Sequence, residues 1–187
     1  MRVIAGAARG HVLKRPRGNK IRPTSDRIKE ALFNIIAPII KGATVLDLFA
    51  GIGSLGIESL SRGAAKAVFV DRNRDSIKLI HHNLALTGLS SNAEVYSLDV
   101  DRSLGVLKHK GLSFNLVFLD PPYQKGLITH TLEGLAKSEL LLPAGLVVVE
   151  HSRREELPAK IQSLQLWRQR HYGDTVVSFY TREEDNA

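Results

Sequence analysis

The sequence predicts an α/β fold: a doubly wound, mostly parallel sheet with helices on both faces. Three observations lead there. Short apolar runs alternate with stretches of helical spacing through the middle of the chain. A Gly-x-Gly-x-x-Gly turn, Gly51 to Gly56, leads from the first run into a helix. The last two apolar runs are joined by Gly173-Asp174 alone, a join that only antiparallel strands can use. At 187 residues, with 43% hydrophobic and 24% charged residues, the chain has the size and composition of one globular domain, and no linker or repeat divides it.

Taken in order, residues 1–22 alternate poorly, and Gly6, Gly10 and the 16–18 stretch suit a small basic hairpin or arm; the core is expected over 23–187. Pro23-Thr24-Ser25-Asp26 opens a helix to about Ala37, with a hydroxyl to cap free amides and Asp26 favourably placed in the first turn. Its buried face is read as Ala31, Leu32, Ile35 and Ile36. Strands buried on both faces are expected at 44–49, 67–71, 93–98, 114–120 and 146–150. Helices are expected at 54–62, 74–87, 102–110 and 127–137, with Gly63, Gly88 and Gly111 as stops. A further helix over about 156–163 should precede the antiparallel strands 166–172 and 175–181.

Composition removes several kinds of chemistry. Without cysteine there are no disulfides, thiolate metal sites or thiol nucleophiles. The seven histidines lack metal-ligand spacing, with His81 and His82 adjacent, so no metal is expected and the histidines are read as surface or RNA-contacting residues. No apolar signal core follows the basic amino terminus, and the 140–149 run is short and broken by Pro143 and Gly145, which points to a cytoplasmic protein off the membrane. The net charge of +7 is concentrated: residues 1–29 hold nine Lys and Arg against Asp26, while the remainder is near neutral. Clustered cations fit a polyanion, because they release counterions from neighbouring phosphates together. Arg9, Lys14, Arg15, Arg17, Lys20 and Arg22 are the expected phosphate contacts.

The motifs sit where an open parallel sheet binds ligands, at the carboxyl ends of its strands. Glycines 51 and 53 let backbone approach a ligand, and Asp71, twenty residues after Gly51, can accept both hydroxyls of a ribose. So far a dinucleotide fits as well as S-adenosylmethionine. Asp47, just before the loop, would repel a pyrophosphate yet suits an ammonium and a sulfonium; a capping or turn role is its structural alternative. Asp99 can accept an adenine amino group, or serve as an exposed loop acid. Asp120-Pro121-Pro122-Tyr123 ends the fourth strand. A base amino group is a poor nucleophile until two acceptors draw its hydrogens out of the ring plane. The Asp120 side chain and the Pro121 carbonyl, held by a fixed φ, can be those acceptors, and Tyr123 can stack on the base. Glu150 and His151 share this rim, where a minor substrate role is open to them.

Together, Asp120-Pro-Pro-Tyr and Asp47-Leu-Phe-Ala-Gly-Ile-Gly resemble the amino-directed class I S-adenosylmethionine methyltransferases. Arg22-Pro-Thr-Ser-Asp-Arg27 followed by Glu30-Ala-Leu-Phe-Asn34 narrows the resemblance to the RsmD family, over nearly the whole chain. That resemblance implies a seven-stranded sheet with a terminal antiparallel pair and methylation of N2 of one guanine in 16S ribosomal RNA, free or in a partly assembled small subunit, by a monomer. It also implies a cofactor held by Asp47, Gly51, Gly53, Asp71 and Asp99, with Phe49, Arg72 and Val100 beside them, Thr24 at its methionine end, and RNA gripped by the basic arm. Ile52 departs from the family, where a small polar residue is usual. The Asp-Pro-Pro-Tyr signature alone also covers amino methylation of adenine or cytosine. A nicotinamide dehydrogenase would use the glycine loop but leave Asp120-Pro-Pro-Tyr and the charged arm idle; a non-enzymatic RNA-binding module would leave the rim residues idle.

Overall fold

The computed structural model describes residues 1–16, 26–122 and 126–182. In chain order the elements are α1 (Asp26–Ile40), β1 (Thr44–Leu48), α2 (Ser54–Ser61), β2 (Lys66–Asp71), α3 (Arg74–Thr87), β3 (Ala93–Ser97), α4 (Val100–His109), β4 (Phe114–Leu119), α5 (Leu127–Ser138), β5 (Leu141–Ser152), β6 (Lys160–Ile161), β7 (Leu164–Tyr172) and β8 (Thr175–Arg182). They form one sheet in the order β3-β2-β1-β4-β5-β8-β7-β6. Strands β1 to β5 pair in parallel, and β8 enters antiparallel between β5 and β7. The sheet thus has eight strands rather than the seven the resemblance implied, the addition being the two-residue β6 at the edge.

Each face carries its own core. One, built on Phe33, Ile57, Phe69, Phe118 and Phe179, lies under α1, α2 and α3. The other, built on Leu48, Val70, Leu107, Val117 and Leu132, lies under α4 and α5. Strands β1, β2 and β4 are buried along nearly their whole length, as their continuous apolar runs required.

The helix expected over 156–163 is absent. Leu157, Ile161 and Leu164 have helical spacing, but Pro158 cannot donate to a helix ladder and Gln162 turns the chain back with φ of 52°. Ile161 and Leu164 are buried there as paired β residues, and the Tyr180 hydroxyl donates to the Pro158 carbonyl at 2.8 Å. Strand β5 begins earlier than expected, at Leu141. Leu141 pairs with Phe114 and the chain then bulges, with Ala144 at φ 58°, before Leu146 pairs with Leu116. Helix α1 runs on past Ala37 to Ile40, with Pro38 in its last turn; it buries Lys29, Leu32, Phe33, Ile36 and Ile40, while Ala31 and Ile35 are half-buried.

At the amino terminus the hairpin alternative holds for the described residues. Val3 N–H donates to the His11 carbonyl and Leu13 N–H to Met1, with Arg2 bridged to Val12. Val3, Ala8 and Leu13 are buried in the first core, so the hairpin is packed onto the body. Its turn lies hard against the end of α2: a Cβ on Gly6 would fall 1.7 Å from the Ser61 carbonyl oxygen.

Candidate active site

The site is assembled at the carboxyl ends of β1, β2, β3 and β4. Because β1 and β4 are paired neighbours with Leu48 opposite Leu119, the next residue on each strand, Phe49 and Asp120, emerges side by side. Phe49 leaves β1 with φ of 62°, a left-handed conformation unusual for an aromatic residue and of the kind that concentrates at functional sites. The chain then turns through Gly51 and Gly53, at φ 58° and 80°, into α2. The third loop glycine has a different duty: a Cβ on Gly56 would meet the Phe69 ring at 2.3 Å, so α2 can lie this close to β2 only without one.

Phe49, Asp71, Arg72, Asp99, Val100, Asp120 and Pro122 line one cavity of about 320 Å³. Convergence of residues from four separate strand ends is the central result for the sequence-predicted site. Asp47, Gly51, Gly53 and Pro121 stand outside the lining, Asp47 on β1 and the two glycines in the loop that follows it. Thr24, Arg17, Lys20, Arg22 and Tyr123 lie outside the described residues, so their predicted roles rest on sequence alone. The cavity also has walls that sequence reasoning missed: Asn73, Ser76, Leu98, Asp101, Leu127 and Thr131. Leu127 and Thr131 stand one turn apart on α5 and so share the face that borders the cavity.

Hydrogen bonds fix the acids. Asp71 takes Gly51 N–H on Oδ2 at 2.8 Å and Asn73 N–H on Oδ1 at 2.7 Å, tying the glycine loop to the end of β2. A carboxylate has about four acceptor positions, so Asp71 retains capacity for two hydroxyls. Asp99 is exposed and caps α4 by accepting Arg102 N–H at 2.9 Å, and it also faces the cavity. Asp47 is buried and accepts the Gly56 N–H at 2.9 Å, the turn-bracing role. Burial, aided by Asp71, pushes its carboxyl up to about 7 against that hydrogen bond. Asp120 is open to the cavity yet crowded by the strand ends around it. Loss of solvation there, with the charges of Glu150 and Asp47, raises its pKa well above the ordinary carboxylate range. These neighbours favour a cationic ligand, which would relieve their mutual repulsion.

His151 is neither a surface nor an RNA-contacting residue, contrary to expectation. It is buried, with Nδ1 at 3.1 Å from the Ser152 carbonyl and Nε2 at 2.7 Å from the Ser178 hydroxyl. A carbonyl only accepts, which assigns the proton to Nδ1, and desolvation keeps the ring neutral. Glu150 keeps its place at the rim through its field on Asp120.

Asn83 was also missed. Wholly buried on α3, it donates from Nδ2 to the carbonyls of Lys14 and Ile52 and accepts Lys14 N–H on Oδ1 at 2.8 Å. One side chain therefore joins the exit of the amino-terminal hairpin to the glycine loop. Ile52 itself packs half-buried against the first core, which suits an apolar residue at this place in the loop. Arg9, Lys14 and Arg15 have exposed side chains, as phosphate contacts require.

The family model described as conserved hypothetical protein 95 matches residues 1–181. Ribosomal RNA small subunit methyltransferase D of Escherichia coli is 37% identical over 183 residues, covering 98% of this chain and 90% of that protein. This chain belongs to the RsmD family. The rRNA methyltransferase YlbH of Bacillus subtilis is 40% identical over 182 residues, covering 97% of this chain and 99% of that protein. The solved structure of yhhF from Escherichia coli superposes with a TM-score of 0.85 at 34% identity, covering 98% of each chain. The RsmD fold thus accounts for the strand order and the antiparallel end of the sheet, and class I methyltransferases are its structural neighbours.

Proposed function

We propose that this chain methylates ribosomal RNA with S-adenosylmethionine as donor, and that the acceptor is the N2 amino group of a guanine in small-subunit RNA. The single observation that carries the reading is the shared cavity: a ribose-binding type of acid, Asp71, and two members of the amino-orienting motif, Asp120 and Pro122, line one space of about 320 Å³. The residues suit the donor, since a backbone loop shaped by Gly51 and Gly53 gives close approach and the acids around Asp120 attract a cation. S-adenosylmethionine supplies an electrophilic methyl group on a sulfonium that leaves as a neutral sulfide and needs no acid.

The protein's own work is orientation and charge. Asp71 holds a ribose edge, Asp99 and Val100 the adenine side, with Phe49 and Arg72 closing the wall. Asp120 and the Pro121 carbonyl draw the two amino hydrogens out of the base plane, freeing the nitrogen lone pair, and Asp120 receives the departing proton. Holding both reactants in line contributes about 7–11 kcal/mol toward the barrier in well-oriented systems. Guanine edges are reached in unpaired RNA or by turning the base out, with Tyr123 as the stacking face. The hairpin cations and their continuation through Arg17, Lys20 and Arg22 neutralise phosphates. None of the helices among the described residues is long and apolar enough to cross a membrane. On this reading the enzyme is a single-domain monomer in the cytoplasm, acting on small-subunit RNA, free or in a partly assembled particle.

The test is to incubate the protein with labelled S-adenosylmethionine and unmodified small-subunit RNA, as a bare transcript and in partly assembled particles, and map the product. Label on guanine N2 is expected. Label on adenine or cytosine would overturn the target, and no transfer to either substrate would overturn the reading.

A further inference from the structure

Strand β7 carries the chain's single tryptophan, Trp167, and it is 56% exposed. The pairing of β7 with β8 is regular except at this point. Leu166 opposes Tyr180 and Arg168 opposes Phe179, so Trp167 is the extra residue of a β-bulge. The bulge changes which side chains share a face. Directly opposed residues on antiparallel strands point the same way. Phe179 and Val177 face the first core, so Arg168 and Arg170, their partners, lie on that face too. Trp167 joins them, its ring set edge-on to Phe179 with centroids 6.1 Å apart and the Arg168 guanidinium 5.8 Å away. Tyr172 continues the row and packs against the same core. The result is Trp167, Arg168, Arg170 and Tyr172 in sequence on one side, and residues 160–173 include no acid.

We infer that this face of β7 is a second RNA-binding surface, where an unpaired base stacks on Trp167 while Arg168 and Arg170 hold the flanking phosphates. The inference rests on the reading of the chain as an RNA methyltransferase and extends its footprint beyond the amino-terminal arm. Position supports it. Strand β7 runs in the same direction as β5 and β4, so its carboxyl end, Tyr172, lies at the rim that carries Asp120. It stands three strands from β4, or about 14 Å across the sheet, and Trp167 lies about 17 Å back from the rim, within reach of a few nucleotides of the substrate strand. The face is also the one onto which the basic hairpin packs through Val3, Ala8 and Leu13.

A bulge and charged side chains also guard an exposed strand edge against pairing with another chain, and arginine alone would serve that purpose. An exposed tryptophan works against it, because it offers a large sticky surface at an open edge. Aromatic rings interleaved with arginine are the recurring platform for single-stranded RNA, which presents a π-face at every base. That combination favours RNA over a second copy of this chain, for which the arginine row would set like charges together.

The lone tryptophan makes the test direct. The full-length protein, saturated with S-adenosylhomocysteine, is titrated with the unmodified small-subunit RNA transcript while acrylamide quenching of Trp167 fluorescence is followed. RNA should shield the ring from acrylamide and S-adenosylhomocysteine alone should not. Trp167→Ala should weaken RNA binding roughly tenfold, the order of one base–aromatic stack, with unchanged melting temperature and S-adenosylhomocysteine affinity. Trp167→Phe should recover most of the loss. If the transcript is methylated but Trp167 stays as accessible as in the free protein, the surface is wrong and the enzyme reading stands. Shielding that grows with protein concentration in the absence of RNA, accompanied by a dimer in sedimentation, would assign the face to self-association and overturn the inference. A transcript neither bound nor methylated would overturn both.

Discussion

Two polar regions of this molecule, one buried and one opening to the cavity, treat charge in opposite ways. Beneath the hairpin, Lys29 and Glu58 are completely buried with Nζ and Oε2 3.3 Å apart. Glu58 also takes the N–H groups of Ile4 and Ala5 and the Arg62 guanidinium, and Lys29 donates to the Arg2 carbonyl at 2.6 Å. Every charge there meets its opposite within hydrogen-bonding range. At the rim, loss of solvation with the charges of Glu150 and Asp47 acts on Asp120, burial with the charge of Asp71 acts on Asp47, and both aspartates have raised pKa values. The first arrangement is a fastening, in which the hairpin is locked to α1 and α2. The second holds free energy that a cationic ligand can release, which is why the two regions make opposite predictions when a charge is removed.

The largest effect is expected from breaking the fastening. Lys29→Met leaves Glu58 with less compensation in a dry site and should cost about 3–5 kcal/mol, seen as a melting temperature lower by roughly 10 °C. A drop of a degree or less would mean the ion pair is immaterial to the hairpin.

At the rim, Asp120→Ala should lower kcat about 100- to 1,000-fold, the scale of losing one oriented transition-state contact, with S-adenosylhomocysteine affinity within a few-fold of the parent and no loss of stability. The pH profile sharpens this. Asp120 is a full acceptor and a base only when ionised, and its free-enzyme pKa is raised. The acid limb of kcat/KM for S-adenosylmethionine should therefore begin well above the usual carboxylate range. A limb at an ordinary carboxylate pKa would remove Asp120 from the step.

Asp47 gives an effect of opposite sign to Lys29. Its folded pKa of about 7 lies above the unfolded value of 3.8, so the native state binds the extra proton between them. Its contribution favours the fold at low pH and is lost as pH rises from about 4 to about 7. Asp47→Asn, which keeps an acceptor for Gly56 N–H, should stabilise the protein at pH 8 by an amount on the order of 1–4 kcal/mol and leave melting at pH 4 nearly unchanged. Melts at the two pH values check the sign; equal shifts at both would discard the argument.

The smallest effect belongs to the solvated cations. Replacing Lys14 and Arg15 together by glutamine should change RNA affinity only a few-fold near physiological salt, while reducing the slope of log affinity against log salt by about 1.4. Binding isotherms over a salt series measure it, and an unchanged slope would take the hairpin off the RNA.

Local chemistry determined much of this protein from sequence alone. The apolar runs of β1, β2 and β4 could only be buried strands, and Gly51, Gly53 and Asp120-Pro121-Pro122 could be placed at strand ends, because these signals lie in consecutive residues and in backbone geometry. Tertiary structure decided what depends on partners distant in the chain. Residues 156–163 read as a helix, but pairing with the next strand along the chain drew Lys160 and Ile161 into β structure. His151 read as a rim residue, but Ser178, 27 residues on, turned it into the interior. Lys29 counted among the clustered cations of residues 1–29, but Glu58 draws it into the core. Asn83 and Trp167 carried no motif at all; one was selected by two loops that meet over it, the other by a bulge in strand register. Sequence specifies what a residue can donate, accept or bury, and only the folded chain specifies what it meets.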